Sequence, residues 1–264
     1  MTTPATITRH WVAGMPHLAT YGLSEDWALA VAMEEVWFRL AESLGLSPAQ
    51  WRDAGGKRMY AAAIALWTDF DLARPVLEDD AFTSTTTLLS IRKPHALGET
   101  RFAVNGQVRA TVRILTSFVR RDTAGSNKKF SRVRDVWQAD ELAPQTIDDL
   151  LADHHAAKTR AVKTAPVLTH EVNRLRDFNA AQLLYFKNFV GIARTAEWAA
   201  GRGQPHRMVS ARACYYLGNG DDAETIFARV GQQGDQAVTE FLNDAGQRLF
   251  LSQATMGDVT LTEP

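Results

Sequence analysis

Cysteine is nearly absent from this sequence: Cys214 stands alone among 264 residues. No disulfide can form within the chain, and a reducing, cytoplasmic setting is the simplest expectation. An excess of charge of either sign is also missing. The formal net charge is -1, so no overall field draws the chain to nucleic acid or to an anionic membrane surface. Long apolar runs are absent. The segment "MYAAAIALW" at 59–67 falls far below the roughly 20 residues that span a bilayer. The opening "MTTPATITRHWVAG" lacks the apolar core of a signal peptide. The seven histidines show no metal-ligand spacing, and the adjacent His154 and His155 should point apart on a helix. Cys-x-x-Cys, His-Glu-x-x-His and Gly-x-Ser-x-Gly do not occur, which leaves metal and serine-hydrolase chemistry without support.

What is there suits a folded protein with a real core: 45% hydrophobic and 22% charged residues, enough for one large domain or two of about 130 residues. The stretch 122–165 differs from both sides. It is polar, ends in proline, and has room for one short helix near 145–158. It reads as a linker between an N-terminal unit, 1–121, and a C-terminal unit, 166–264.

Both units follow one order. The first reads as a strand near 8–14, a helix over 25–44, then strands at 58–68, 83–93, 99–105 and 107–119. Ser24 suits the N-cap, Glu25 and Asp26 the first turn, and Gly45 the stop. Asn105-Gly106 is a two-residue hairpin signal. The second reads as a strand at 166–174, a helix at 180–200 and four strands at 207–217, 223–231, 236–243 and 247–256. Asp79-Asp80-Ala81 and Asp221-Asp222-Ala223 recur at turns into a strand, which points to duplication. One strand, one long apolar helix and an antiparallel run describe a hotdog unit. The fold class expected is therefore α+β, a double hotdog.

Several segments carry a family resemblance: "GMPHLATYGLSEDW", "RMYAAA", "TSFVRRD", "DFNAAQLLYFKNF", "AEW" and "YYLGNGDD". In this order, over about 10–257, the chain resembles biosynthetic double-hotdog proteins typified by the bifunctional acyltransferase/decarboxylase of leinamycin biosynthesis. That resemblance implies decarboxylation of malonyl- or methylmalonyl-CoA and transfer of the acyl group to an acyl carrier protein. It implies no cofactor beyond the CoA or phosphopantetheine thioester itself. It also implies Tyr60, in the family's "LYAS"-like segment, as the acyl acceptor. The chain departs from the family in its first helix. A Gly-Asp-x-His-Trp arrangement is replaced by "MEEVW", with Glu34 for the Asp, Val36 for the His, and Trp37 kept.

The residues carry their own readings beside this one. A tyrosine nucleophile needs a positive neighbour, and alternation puts Arg58 on the face of Tyr60. Tyr60 otherwise is a strand tyrosine with a bonded hydroxyl. Asp177 and Asn179 precede an apolar helix and serve either as caps or as groups touching a thioester, with Asp177 as base or nucleophile of a thioesterase. Ser24, at the other helix start, would mark a second thioester site. Glu34 and Glu35 suit a solvated or hydrogen-bonding role near the inter-unit cleft. Lys128 and Lys129, on a loop, are either solvated or face CoA phosphates or an acidic carrier protein. "GNGDDA" mimics a dinucleotide fingerprint but lacks the helix it requires. A non-catalytic module that holds a carrier protein is the third reading. A homodimer is the further assembly considered.

Overall fold

The computed structural model describes residues 6–134, 144–201 and 207–259. The first half runs β1 (Thr6–Val12), a short ribbon of β2 (Leu18–Ala19) and β3 (Gly22–Leu23), α1 (Glu25–Ser43), β4 (Tyr60–Phe70), β5 (Ala81–Arg92), β6 (His95–Val104) and β7 (Gln107–Arg121). Next come β8 (Phe130–Arg132) and α2 (Pro144–Ala157). The second half holds β9 (Pro166–Glu171), the single turn α3 (Arg174–Asp177), α4 (Phe186–Ala200), β10 (Arg207–Tyr216), β11 (Thr225–Gln233), β12 (Gln236–Asn243) and β13 (Arg248–Asp258).

One antiparallel sheet has the order β1-β5-β6-β7-β4-β10-β13-β12-β11-β9, with β8 on β7. The order reads as the same five-strand arrangement met from either end. The halves join where β4 pairs with β10, from Asp69↔Ala211 to Ala65↔Tyr215. α1 and α4 lie on one face over a shared core that includes Leu29, Met33, Phe102, Phe189, Phe241 and Phe250. The fold is a double hotdog.

Local chemistry sets the element ends. Ser24 Oγ accepts the Trp27 N–H at 3.4 Å, and Gly45, at φ +64°, lets Leu46 N–H reach back to Ala41 O at 2.9 Å. Asn105 and Gly106 take φ +50° and +74°, the left-handed pair of a tight hairpin. Val36 packs so closely on β6 that a Cβ on Gly98 would sit 2.3 Å from its Cγ2. Val36 therefore faces the sheet.

The duplication is real at these turns, but its register is not the Asp-Asp-Ala match. Leu77 N–H donates to Asp80 Oδ2 at 2.8 Å, and Asp221 N–H to Glu224 Oε2 at 2.9 Å. Asp79 and Ala223 both take positive φ, +65° and +59°. Each donates its N–H to the end of the first strand of its half, Asp79 to Ala13 O and Ala223 to Val172 O. Asp79 thus corresponds to Ala223, and Asp80 to Glu224. Three identical letters matched two residues out of step because the turn is defined by a carboxylate at its fourth position, which either acid supplies.

The segment expected as a linker is more than a tether. β8 extends the sheet, and α2 lies on the face opposite α1 and α4. There Ile147 and Ala157 meet Ala65, Leu97, Leu115, Tyr215 and Leu251. Strand alternation explains the split: Leu66 serves the first core and Ala65 this one. Residues 135–143 of that stretch lie outside the described residues. As expected, His154 is buried and His155 exposed. Among the described residues no helix is long and apolar enough to cross a membrane.

Candidate functional site

Tyr60 opens β4, half-buried, where β4 lies against the end of β7. The hydroxyl oxygen accepts a hydrogen bond from Arg121 Nη1 at 3.3 Å. The Arg121 guanidinium carbon is 5.4 Å from the ring centroid, and that of Arg58 is 5.6 Å away. Two cations therefore lie within contact range of one phenol ring. The rest of Arg121 crosses to the second half. Nη2 donates to Ala181 O at 2.6 Å and Gln182 O at 2.7 Å, and Nε donates to Asn127 Oδ1 at 2.9 Å. Asn127, 3% exposed, donates in turn to Gln182 O at 3.0 Å and Gly220 O at 3.2 Å. Its backbone N–H meets Asp221 Oδ1 at 2.7 Å.

The structure thus brings Tyr60 and Arg58 to the loop that holds Asp177 and Asn179. Arg121 and Asn127 are the joints that sequence reasoning missed. Arg121 sits inside "TSFVRRD", and its role became readable only with the pairing Tyr60↔Val119, which places residue 121 diagonally across from Tyr60 on the same face.

Asp177 and Asn179 do not cap α4. That helix begins at Phe186, not at 180, and Tyr185 occupies the cap position without a side-chain bond. Asn179 explains the delay. Its Oδ1 accepts the N–H groups of Ala181 at 3.0 Å and Leu183 at 3.1 Å, and Gln182 takes φ +56°. This side-chain competition for backbone donors makes a turn where a helix was expected. Asp177, 3% exposed, is held on all sides. Oδ2 accepts from Asn173 N–H at 2.9 Å, His170 Nε2 at 3.0 Å and Arg176 Nη2 at 2.8 Å. Oδ1 accepts from Arg176 Nε at 2.8 Å. Burial alone would raise its pKa, but the Arg176, Asn173 and His170 bonds outweigh burial and hold the carboxyl at about 2. Its carbonyl receives Tyr185 N–H at 2.8 Å and Asn188 Nδ2 at 3.0 Å. Asp177 therefore fixes the chain as it enters α4.

The remaining candidates divide between two places. Lys128 and Lys129 are exposed, next to Asn127 and hence beside the Tyr60 cluster. Glu34 is exposed on α1, and its charge reaches Tyr185, whose hydroxyl is pushed up chiefly by burial and then by Glu34. Glu35 points the other way, buried against Ser84 and Thr86, with Arg9 Nε at 3.1 Å. Ser24 lies at the opposite end of the helix pair.

That opposite end holds a cavity of about 850 Å³ between the start of α1 and the second half of α4. Beneath it Arg212, 2% exposed, joins the halves. Nε donates to Glu25 Oε1 at 3.1 Å, Nη1 to Glu197 Oε1 at 2.8 Å and to Ser252 Oγ at 2.8 Å, and Nη2 to Glu197 Oε2 at 2.9 Å. No sequence pattern points to this network, because an arginine in an apolar strand has no spacing signature.

No protein-family model matches the chain, and no curated protein does. Solved structures do. A 12:0-ACP thioesterase from Umbellularia californica is 9% identical, covers 96% of this chain and 97% of its own, and superposes with a TM-score of 0.68. An acyl-ACP thioesterase from Bacteroides thetaiotaomicron is 10% identical, with 96% and 98% covered and a TM-score of 0.66. A MaoC-like dehydratase from Phytophthora capsici is 14% identical, with 97% and 96% covered and a TM-score of 0.50. At these identities the likeness is one of fold.

Proposed function

We propose that the protein acts on acyl thioesters, removing CO2 from malonyl- or methylmalonyl-CoA and passing the acyl group to the phosphopantetheine thiol of an acyl carrier protein. The observation that carries this reading is the Tyr60 hydroxyl held by Arg121, a residue itself braced on the loop ahead of α4. In the first step the bond between the carboxylate carbon and the α-carbon breaks, CO2 leaves, and its electron pair forms an enolate on the thioester. A proton taken up from solvent at the α-carbon then gives propionyl-CoA in the methylmalonyl case. Tyr60 attacks the thioester carbonyl, CoA leaves as the thiol with the phenol proton, and a tyrosyl ester remains. The carrier thiol attacks that ester and returns its proton to Tyr60. Arg121 opposes the charge that builds on the phenol oxygen. The start of α4, which has no side-chain cap and no acid in its first turn, favours the enolate oxygen. Arg58, Lys128 and Lys129 would meet the phosphates of CoA or acidic residues of the carrier.

Asp177 positions the loop in this account and transfers no proton, since its carboxylate is buried and committed to Arg176, His170 and the Asn173 N–H. The acyl-ACP thioesterases of the same fold keep hydrolysis as the competing outcome. Incubation with methylmalonyl-CoA, followed by mass spectrometry of the CoA pool and of the intact chain, decides between them. Propionyl-CoA together with a propionylated chain that disappears in Tyr60→Phe is the expected result. Free methylmalonate, lost in Asp177→Asn and kept in Tyr60→Phe, would establish a thioesterase instead.

A further inference from the structure

The cavity at the α1 end shares no residue with the Tyr60 cluster. Its volume of about 850 Å³ lies within the range of small-molecule sites. Phe70, Met208 and Met256 give it apolar walls, and Trp198, 61% exposed, adds an aromatic face. Four carboxylates line it, Glu25, Asp26, Asp71 and Glu197, together with two guanidiniums, Arg109 and Arg194.

The acids are all served. Arg212 donates to both oxygens of Glu197, at 2.8 and 2.9 Å, and to Glu25 Oε1 at 3.1 Å. Asp71 Oδ2 accepts from Arg74 Nε at 2.9 Å. Asp26 Oδ1 accepts from Arg194 Nη1 at 3.4 Å. Arg109 is the exception among the cations. Its backbone O accepts the Asp71 N–H at 2.8 Å, which fixes it beside that acid. Its side chain is only 15% exposed, yet Nε and Nη1 are buried without a hydrogen-bond partner. The carboxylate it faces, Asp71 Oδ2, lies 3.9 Å from Nη1, beyond hydrogen-bond length, and is already taken by Arg74. A guanidinium carries donors only, so these two unmade bonds call for an acceptor.

We infer that this cavity binds a monocarboxylate on an apolar body, with the carboxylate accepting from the Arg109 guanidinium. No hydrogen bond holds Nε or Nη1, so the guanidinium is free to turn towards a head group in the cavity and exchange unmade bonds for charge-assisted ones. The body lies against the apolar wall and the Trp198 ring. One added negative charge is accommodated because the lining acids have cations of their own. A polyanion such as CoA would meet four fixed carboxylates, so the site does not duplicate the Tyr60 end, and the inference is independent of the reaction proposed there.

Titration calorimetry of the full chain with 3-phenylpropionate tests it, with phenethylamine as the matched cation. Saturable binding of the acid is expected, at least about tenfold tighter than that of the amine. Arg109→Gln weakens the acid about tenfold, whereas Tyr60→Phe binds it as the parent does. Trp198→Leu, an exposed change that leaves the ion network alone, weakens it several-fold and keeps the test open should Arg109→Gln not fold. No saturation with the acid, equal affinity for the amine, or affinity unchanged in the folded cavity variants overturns the proposal.

Discussion

The α1 and α4 ends are products of one plan with opposite electrostatics. At α1 the helix start is closed by the chain's own groups: Ser24 caps it, and Glu25 and Asp26 occupy the first turn. At α4 no side chain caps the start, no acid follows, and Lys187 stands in the first turn. The positive end of a helix is worth about 0.3–1 kcal/mol to a nearby anion. One half gives that to its own carboxylates, while the other has no acid there to receive it. The cations follow the same division. Arg58 and Arg121 reach the Tyr60 ring, whereas Arg212 is consumed by two glutamates. Duplication therefore preserved backbone and turns and let the two helix starts diverge. That divergence sets the cavity at the α1 end apart from the tyrosine cluster in its surrounding charge.

The largest expected effect breaks the α1 end. Arg212→Met leaves Glu25 and Glu197, with side chains 9% and 7% exposed, without their shared cation. Stranding a buried charge costs about 3–5 kcal/mol. Urea denaturation should show that loss. Adding Glu197→Gln to the same chain should recover part of it, and no recovery would mean that Arg212 acts by packing alone.

Next in size is the loop at the α4 end. Asp177→Asn removes the charge-assisted bonds to Arg176 and His170 and should cost about 2 kcal/mol. The sign of its pH dependence follows from the depressed pKa. The folded carboxyl sits at about 2 against 3.8, so its contribution is complete above about pH 4–5 and is lost as pH falls towards 2. Urea titrations of parent and variant should therefore converge only in strong acid. A positioning role also predicts that kcat falls while the adduct on Tyr60 still forms. Complete loss of the adduct would make Asp177 chemical.

A second pH effect comes from the opposite face of the sheet. His95 and His154 sit on or against it, under or within α2, and burial keeps both neutral. His95 is pushed down from 6.5 to about 4 by burial, and then by the charges of Arg132 and Arg92. His154 is lowered by burial, partly offset by its bond to Tyr216 O. The unfolded chain takes up these protons first. Stability is therefore full above about pH 6.5 and declines as pH falls to 4. This window lies above that of Asp177. His95→Gln should flatten the decline between pH 6.5 and 4 in urea titrations, and an unchanged slope would remove His95 as its source.

How far all this was readable beforehand differs by level. Element order, hairpins and the duplication were legible, because periodicity, Asn105-Gly106 and the capped start of α1 are local signals. The start of α4 was not. "DFNAAQLL" contains good helix formers, and only the bonds of Asn179 and the left-handed Gln182 reveal a turn. Tyr60 and Arg58 were found together because alternation is a local rule. Arg121 and Asn127 were missed because they matter through a strand pairing and contacts 55 to 94 residues away, which one sequence does not encode visibly.

The smallest test returns to the duplicated turn and asks whether the ends diverged there too. Asp80 and Glu224 each accept one turn N–H, but Glu224 also accepts Asn243 Nδ2 at 2.8 Å. Loss of a capping acceptor alone costs about 0.5–1 kcal/mol, and the second bond adds about as much again. Asp80→Ala should therefore lower the urea midpoint slightly, and Glu224→Ala roughly twice as far. Equal losses would mean that the Asn243 bond contributes nothing, and that this turn, unlike the helix starts, was copied without change in strength.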